Sequence, residues 1–131
     1  AEKHDLTVGV LIHREGENLI VDRMDVKQPL PDCPTPVQWV EDWMNFVARE
    51  FPRVTFVIDE YQLVGLIQRY QYVYDLKRFE FASGRGNHAL AIALRRMILQ
   101  RQVRWAPGCG QIAESDRRDD LETELASLLL K

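Results

Sequence analysis

Strand patterns and helix patterns alternate along this chain of 131 residues, and the alternation is the strongest constraint on its fold. Short β-branched apolar runs are followed by segments with an apolar residue at every third or fourth position, which is typical of amphipathic helices. The patterns predict the element order β-β-α-β-α-β-α-β-α, beginning with a hairpin. This order favours an α/β fold in which a mixed sheet carries helices on both faces. The length predicts one domain over residues 1–131.

Turn and capping residues set the expected boundaries of the elements. Strands over 7–13 and 19–27 flank a polar turn that contains Gly16. A helix follows, with Thr35 as its predicted N-cap, and ends before Pro52. The remaining predicted elements are a strand over 53–59, a helix over 61–72, a strand over 76–82, a glycine-rich turn over 83–87, a helix over 88–100, a strand over 102–105 and a helix over 119–131.

The charge is unevenly distributed. The chain has 17 Lys and Arg against 20 Asp and Glu, and the net charge of -3 argues against passive wrapping of nucleic acid. A local basic cluster is nevertheless present, and it predicts DNA contacts. A solvated helix face is the alternative meaning of such a cluster. The predicted DNA-binding residues are Lys77, Arg78, Arg85, Arg95, Arg96, Arg101 and Arg104.

Membrane and secretory classes are not favoured. No apolar run reaches the ~18 residues of a membrane span, and the first residues lack the pattern of a secretion signal. Cys33 and Cys109 lie in loops rich in proline and glycine. We expect them to be free thiols in a reducing compartment. Because the first residue is not Met, we also expect the chain to be a processed product or a fragment.

Asp59 is the most informative candidate for a functional residue. It ends an apolar strand just before a predicted helix, and open α/β sheets bind ligands at that edge. A carboxylate suits a hard divalent cation, although Asp59 could instead cap the next helix. Asp5, next to His4, is a second candidate metal ligand, and a mobile, solvated terminus is its alternative.

Two further segments have both a functional and a structural interpretation. Residues 83–88 could hold an anion at a helix N-terminus, but they lack the Lys-Ser/Thr pair of a phosphate loop, and an ordinary turn is favoured. Asp116, Asp119 and Asp120 could be metal ligands, but a charged helix start is favoured.

Four segments together resemble one family. They are residues 3–28 (KHDLTVGVLIHREGENLIVDRMDVKQ), 53–70 (RVTFVIDEYQLVGLIQRY), 88–107 (HALAIALRRMILQRQVRWAP) and 121–130 (LETELASLLL). They are similar to the C-terminal nuclease domain of phage terminase large subunits, and the resemblance covers nearly the whole chain. It implies a ribonuclease H-like fold, Mg²⁺ or Mn²⁺ as cofactor, and cleavage of double-stranded DNA during genome packaging. It also implies other terminase or portal subunits as partners and a location in the host cytoplasm.

The resemblance places Asp59 on the second acidic position of the family and Asp5 near its first metal ligand. The first and last acidic residues of the family fall outside residues 1–131. We therefore expect a fold that is incomplete at both ends, a missing central strand, and little or no nuclease activity from this chain alone. Alternatively, the strand over 7–13 takes the central place and Asp5 replaces the missing acid.

Two other functions remain open from the sequence. The chain could be a non-catalytic interaction module of the packaging machinery with the same fold. It could also be an unrelated α/β domain that binds a nucleotide at the edge of Asp59, although no phosphate-loop motif supports this.

Overall fold

The computed structural model describes residues 6–29, 32, 36–59, 63–79, 85–113 and 115–129, with the backbone alone at 85, 87 and 127–129. The predicted order of elements is confirmed. The elements are β1 (Thr7–Glu15), β2 (Asn18–Lys27), α1 (Val37–Glu50), β3 (Thr55–Asp59), α2 (Val64–Tyr70), β4 (Asp75–Phe79), α3 (Arg85–Leu99), β5 (Val103–Trp105) and α4 (Leu121–Leu129).

The described strands form two sheets. One is a mixed sheet of order β1-β2-β5, with β1 antiparallel and β5 parallel to β2. The other is the parallel pair β3-β4. The chain forms two compact units: one contains α1, β3, α2 and β4, the other contains β1, β2, β5 and α4, and the division falls within α3 after Leu90. The predicted mixed α/β class is therefore confirmed.

The first unit has a core built from α1, α2 and β3. The apolar residues of α1 repeat at intervals of three and four, so they lie on one face of the helix. In β3, Phe56 and Ile58 alternate with exposed residues, as expected of a strand with one buried face. The buried apolar side chains of this unit are Val40, Met44, Val47, Phe56, Ile58, Leu66 and Ile67.

Two tyrosines of the crossover between β3 and β4 form hydrogen bonds with side chains of α1. The Tyr70 hydroxyl donates a hydrogen bond to Glu41, and the Tyr74 hydroxyl donates one to Asn45. The ring of Tyr74 stacks on Tyr70 at 5.5 Å between centroids and lies 5.4 Å from the ring of Phe56. Tyr74 therefore joins α1, α2 and β3 immediately before β4 begins.

The same contacts change two pKa values. The hydrogen bond from Tyr70 lowers the pKa of Glu41, and the nearby Arg69 lowers it further, because both partners favour the charged carboxylate. The Arg69 Nη1 atom lies 3.1 Å from each carboxylate oxygen of Glu41. The hydrogen bond to Glu41 in turn raises the pKa of the Tyr70 hydroxyl.

The second unit is organised around β2. The hairpin turns at Gly16, whose φ of 61° is a conformation that glycine adopts without strain. Its ladder has an irregularity between Leu11 and Ile12. On its other side, β2 pairs with β5 from Leu19 opposite Val103 onward.

The end of α3 directs the chain into β5. Arg101 has a φ of 58°, and its N–H donates to the carbonyl of Ile98 at 3.0 Å, while Gln102 N–H donates to the carbonyl of Met97 at 2.8 Å. This pair of bonds is a Schellman cap. The carbonyl of Gln102 then accepts a hydrogen bond from Leu19 N–H at 2.6 Å, so the cap leads directly into the pairing of β5 with β2.

Several predicted boundaries differ from the structure, and three of them concern helices. The helix over 61–72 is shorter, as α2 covers Val64–Tyr70. The turn predicted over 83–87 is wrong at its end, because α3 already begins at Arg85. The helix can include Gly86 because a glycine lowers helix stability by only about 1 kcal/mol. The predicted N-cap Thr35 lies outside the described residues, and Pro36 occupies the cap position of α1 without a side-chain bond.

We expect Ile67→Ala to lower the free energy of unfolding by about 2–5 kcal/mol, because Ile67 is only 1% exposed and its truncation leaves a cavity. Val57→Ala is the matched control, since Val57 is 63% exposed and should change stability by less than about 0.5 kcal/mol. Urea unfolding followed by circular dichroism measures both. Equal losses for the two variants would contradict this description of the core.

Candidate functional site

Asp59 lies at the carboxyl edge of the parallel strand pair. It is the last residue of β3, and its register partner is Phe79, the last residue of β4. Phe56 and Ile58 point into the core, so the alternation of the strand turns Asp59 to the exposed face. The sequence prediction of an acidic residue at the end of a β-strand is therefore confirmed.

Asp59 does not cap the helix that follows. Leu63 occupies the N-cap position of α2, and no side chain makes a capping hydrogen bond there. The capping interpretation of Asp59 is therefore wrong for α2. An acidic side chain at the carboxyl edge of a parallel strand pair remains, and this is a position where α/β sheets bind ligands.

The described residues do not by themselves make a metal site. Within them, no group of three or more His, Cys, Asp or Glu side chains is placed to hold a metal ion. A single carboxylate is a suitable ligand for Mg²⁺ but too few for a stable site without waters, phosphates or further carboxylates. Asp5, the other predicted metal ligand, lies outside the described residues. Metal binding by Asp59 and Asp5 stays a prediction.

The predicted DNA-binding residues belong to both units. Lys77 and Arg78 lie on β4 opposite Val57 and Ile58, and both are exposed. The exposed members of the predicted set in the second unit are Arg95 and Arg96 on α3, Arg101 in its C-terminal cap, and Arg104 on β5. The side chain of Arg85 is outside the described atoms. DNA binding by these residues stays a prediction.

Asp120 has a structural role at the start of α4. Its side chain is 3% exposed, accepts a hydrogen bond from Thr123 N–H at 2.9 Å and accepts another from Arg118 Nε at 3.0 Å. The bonds from Thr123, followed by that from Arg118, lower the pKa of Asp120 to about 2. The predicted charged helix start is confirmed for this residue.

The loop before α4 is closed by hydrogen bonds within itself and approaches β2 at Gly110. Leu121 N–H donates to the carbonyl of Cys109 at 2.8 Å, and Asp119 N–H donates to Gln111 Oε1 at 2.9 Å. Gly110 has a φ of 78°, and a Cβ there would lie 2.6 Å from the Met24 sulfur. Cys109 is a free thiol, as the sequence predicted, and burial raises its pKa. Cys33 lies outside the described residues.

A titratable cluster at the end of the hairpin was missed by the sequence reasoning. The His13 ring has Nδ1 at 2.5 Å from Asp22 Oδ2 and Nε2 at 3.0 Å from Glu15 Oε1. These carboxylates raise the pKa of His13, with the bond to Glu15 as the largest cause. The register of the hairpin was the available signal, because it places Asp22 diagonally across from His13.

Comparison with known proteins identifies no relative: no family model, no curated protein and no solved structure matches this chain. Over the part of the chain that the structure describes, no helix has the length and apolar character needed to cross a membrane.

We expect Glu15→Gln to lower the pKa of His13 towards its ordinary value of 6.5, because the largest cause of its rise is then removed. A raised folded-state pKa stabilises the hairpin below about pH 6.5, and this stabilisation is lost as the pH rises through the folded-state value. NMR titration of the imidazole protons measures the pKa. Glu17→Gln, which removes a charge from the adjacent turn, is the control, and an equal effect from it would contradict the assignment.

We expect Asp120→Ala to lower the thermal midpoint at pH 7, because the buried cap of α4 and its bond to Arg118 are both removed. In the parent chain, the lowered pKa of Asp120 gives stability that is present above the ordinary value of 3.8 and lost as the pH falls through about 2. The difference in thermal midpoint between parent and variant should therefore shrink between pH 4 and pH 2. Asp116→Ala, at an exposed position of the same loop, is the control. A difference that is constant with pH would contradict the role of this carboxylate.

Proposed function

We propose that this chain is part of the ribonuclease H-like nuclease domain of a viral or prophage terminase large subunit. In the intact protein that domain would cut double-stranded DNA during genome packaging, in the host cytoplasm, with Mg²⁺ or Mn²⁺. The observation that carries the proposal is the exposed carboxylate of Asp59 at the carboxyl edge of β3 and β4. This is the second acidic position in the terminase resemblance.

The proposal assigns Asp59 one role, that of a carboxylate ligand to a divalent cation. Such cations at a nuclease site would activate water and stabilise charge on the phosphate. Among the described residues no three potential ligands are placed together, and in the terminase resemblance the first and last acidic positions fall outside residues 1–131. We therefore expect this chain alone to have little or no nuclease activity.

Basic residues on two strands support a DNA ligand. Lys77 and Val57 are register partners, and Val57 and Asp59 lie on the same exposed face of the pair. A duplex that approaches this edge would bring its phosphates near an ammonium group as well as the carboxylate. In the second unit, taken by itself, Arg104 on β5 is a proposed phosphate contact. Other terminase or portal subunits are the proposed protein partners.

Plasmid cleavage tests the nuclease proposal directly. A longer polypeptide of the parent protein, which includes the flanking acidic residues, should nick supercoiled DNA when Mg²⁺ or Mn²⁺ is added. We expect Asp59→Ala to reduce the rate by at least about a hundredfold, the order found when a group that stabilises charge in a transition state is removed.

The matched control is Asp75→Asn. Asp75 lies at the amino edge of the same strand pair and accepts a hydrogen bond from the Thr55 hydroxyl at 2.6 Å, which an asparagine oxygen can also accept. This variant should cut like the parent. If Asp59→Ala cuts as well as the parent, the role of Asp59 fails. If the longer polypeptide cuts with neither metal, the assignment as a nuclease fails.

A further inference from the structure

Helix α3 has an unusual surface, because four of its large apolar side chains are exposed while Met97 and Ile98 are half-buried. Every residue from His88 to Arg96 is exposed. The helix contains basic residues and no acidic residue. A helix with apolar residues around its circumference is normally buried against other elements. The large apolar side chains exposed on it are Leu90, Ile92, Leu94 and Leu99, at 49%, 46%, 42% and 63%.

One face of α3 combines apolar and basic side chains. Ile92, Arg95, Arg96 and Leu99 follow the spacing i, i+3, i+4, i+7 and therefore share one side of the helix, with the two arginines between the two apolar residues along the axis. We call these four residues the basic face. The two apolar residues are about 10 Å apart along the axis, which is two turns. Leu94 lies on the opposite side, so it provides an internal control.

We propose that the basic face of α3 docks a helix of a partner protein whose apolar stripe is flanked by carboxylates. Complementary charge favours an acidic partner helix. Helix α3 presents guanidinium groups, and it contains no carboxylate that would repel the carboxylates of the partner. Ile92 and Leu99 lie two turns apart on one side of α3, so a facing helix would pack against both, and its carboxylates would meet the Arg95 and Arg96 guanidinium groups between them.

Two other occupants fit this face less well. A DNA duplex would use Arg95 and Arg96 but would leave Ile92 and Leu99, each about half exposed or more, in contact with water. A second copy docked through its own α3 would place arginines against arginines. Arg95 and Arg96, which the sequence predicted as DNA contacts, are therefore proposed to contact a protein instead. The assignment does not depend on the nuclease proposal.

Binding of defined peptides to the full chain tests this assignment. The acidic probe is a fluorescent helical peptide with leucines at i, i+3, i+4 and i+7 and glutamates beside them. One control peptide has the same composition in an order that abolishes the stripe, and another has lysines in place of the glutamates. We expect the acidic probe to bind at least about tenfold more tightly than either control, as measured by fluorescence anisotropy without DNA or metal.

Variants of the chain locate the site. We expect the double change Ile92→Ser and Leu99→Ser to weaken binding of the acidic probe at least about tenfold, while Leu94→Ser on the opposite side leaves it unchanged. The double change Arg95→Glu and Arg96→Glu should reverse the preference, so that the lysine peptide binds more tightly than the glutamate peptide. Circular dichroism should show the same helix content in all variants, because the changed side chains are exposed.

Four results would overturn the assignment. If the acidic probe and its reordered control bind equally well, the apolar stripe is not recognised and the binding is general charge attraction. If the chain self-associates in sedimentation experiments and the Ile92 and Leu99 variant does not, the occupant of the basic face is a second copy of the chain. If the chain binds a DNA duplex or vesicles of anionic phospholipid more tightly than the acidic probe, and the same variant loses this binding, the occupant is DNA or a membrane surface and not a helix. Retained binding of the acidic probe by that variant would exclude the basic face.

Discussion

The contacts of Tyr74 decide where the parallel strand pair of the first unit forms. Parallel strands need a crossover connection, and here the crossover contains α2, which has only seven residues. A helix of that length is marginal on its own. Its position is fixed from outside, through the stacked rings of Tyr70 and Tyr74 and the hydroxyl bonds from these tyrosines to Glu41 and Asn45. Because β4 begins at the next residue, the edge that carries Asp59 depends on these contacts.

In the second unit, backbone hydrogen bonds position the parallel strand β5 against β2. The chain leaves α3 through Arg101 in a left-handed conformation, which costs roughly 1–2 kcal/mol for a residue other than glycine. The two bonds of the cap and the bond from Leu19 to Gln102 offset that cost. They also set the register of β5 against β2. The two units therefore position their parallel strands by different means, one through side chains and the other through a helix cap.

Local patterns were sufficient to predict the order of elements, the hairpin and α1. The length of α2 was not predictable in the same way, because the apolar spacing does not mark where the helix ends; Tyr72, within the predicted range, is 91% exposed and lies beyond the helix. The division of the strands into two sheets depends on long-range pairing, which a single sequence does not specify. For the site, the position of Asp59 follows from the strand that it ends. The His13 cluster needed the hairpin register, and the complete ligand set of a metal site would need contacts across the fold.

The exposure of α3 has a consequence for the motions of the chain. In α1, opening the helix uncovers Val40, Met44 and Val47, so its amide hydrogens should exchange with solvent only in rare, costly openings. In α3, no side chain from His88 to Arg96 is buried, so unwinding these turns gives up little more than their backbone hydrogen bonds. Amide protons there should exchange early, and a trypsin-like protease should reach the bond after Arg95 or Arg96 before it reaches those of α1. A bound partner helix would slow both processes, because it would have to leave first.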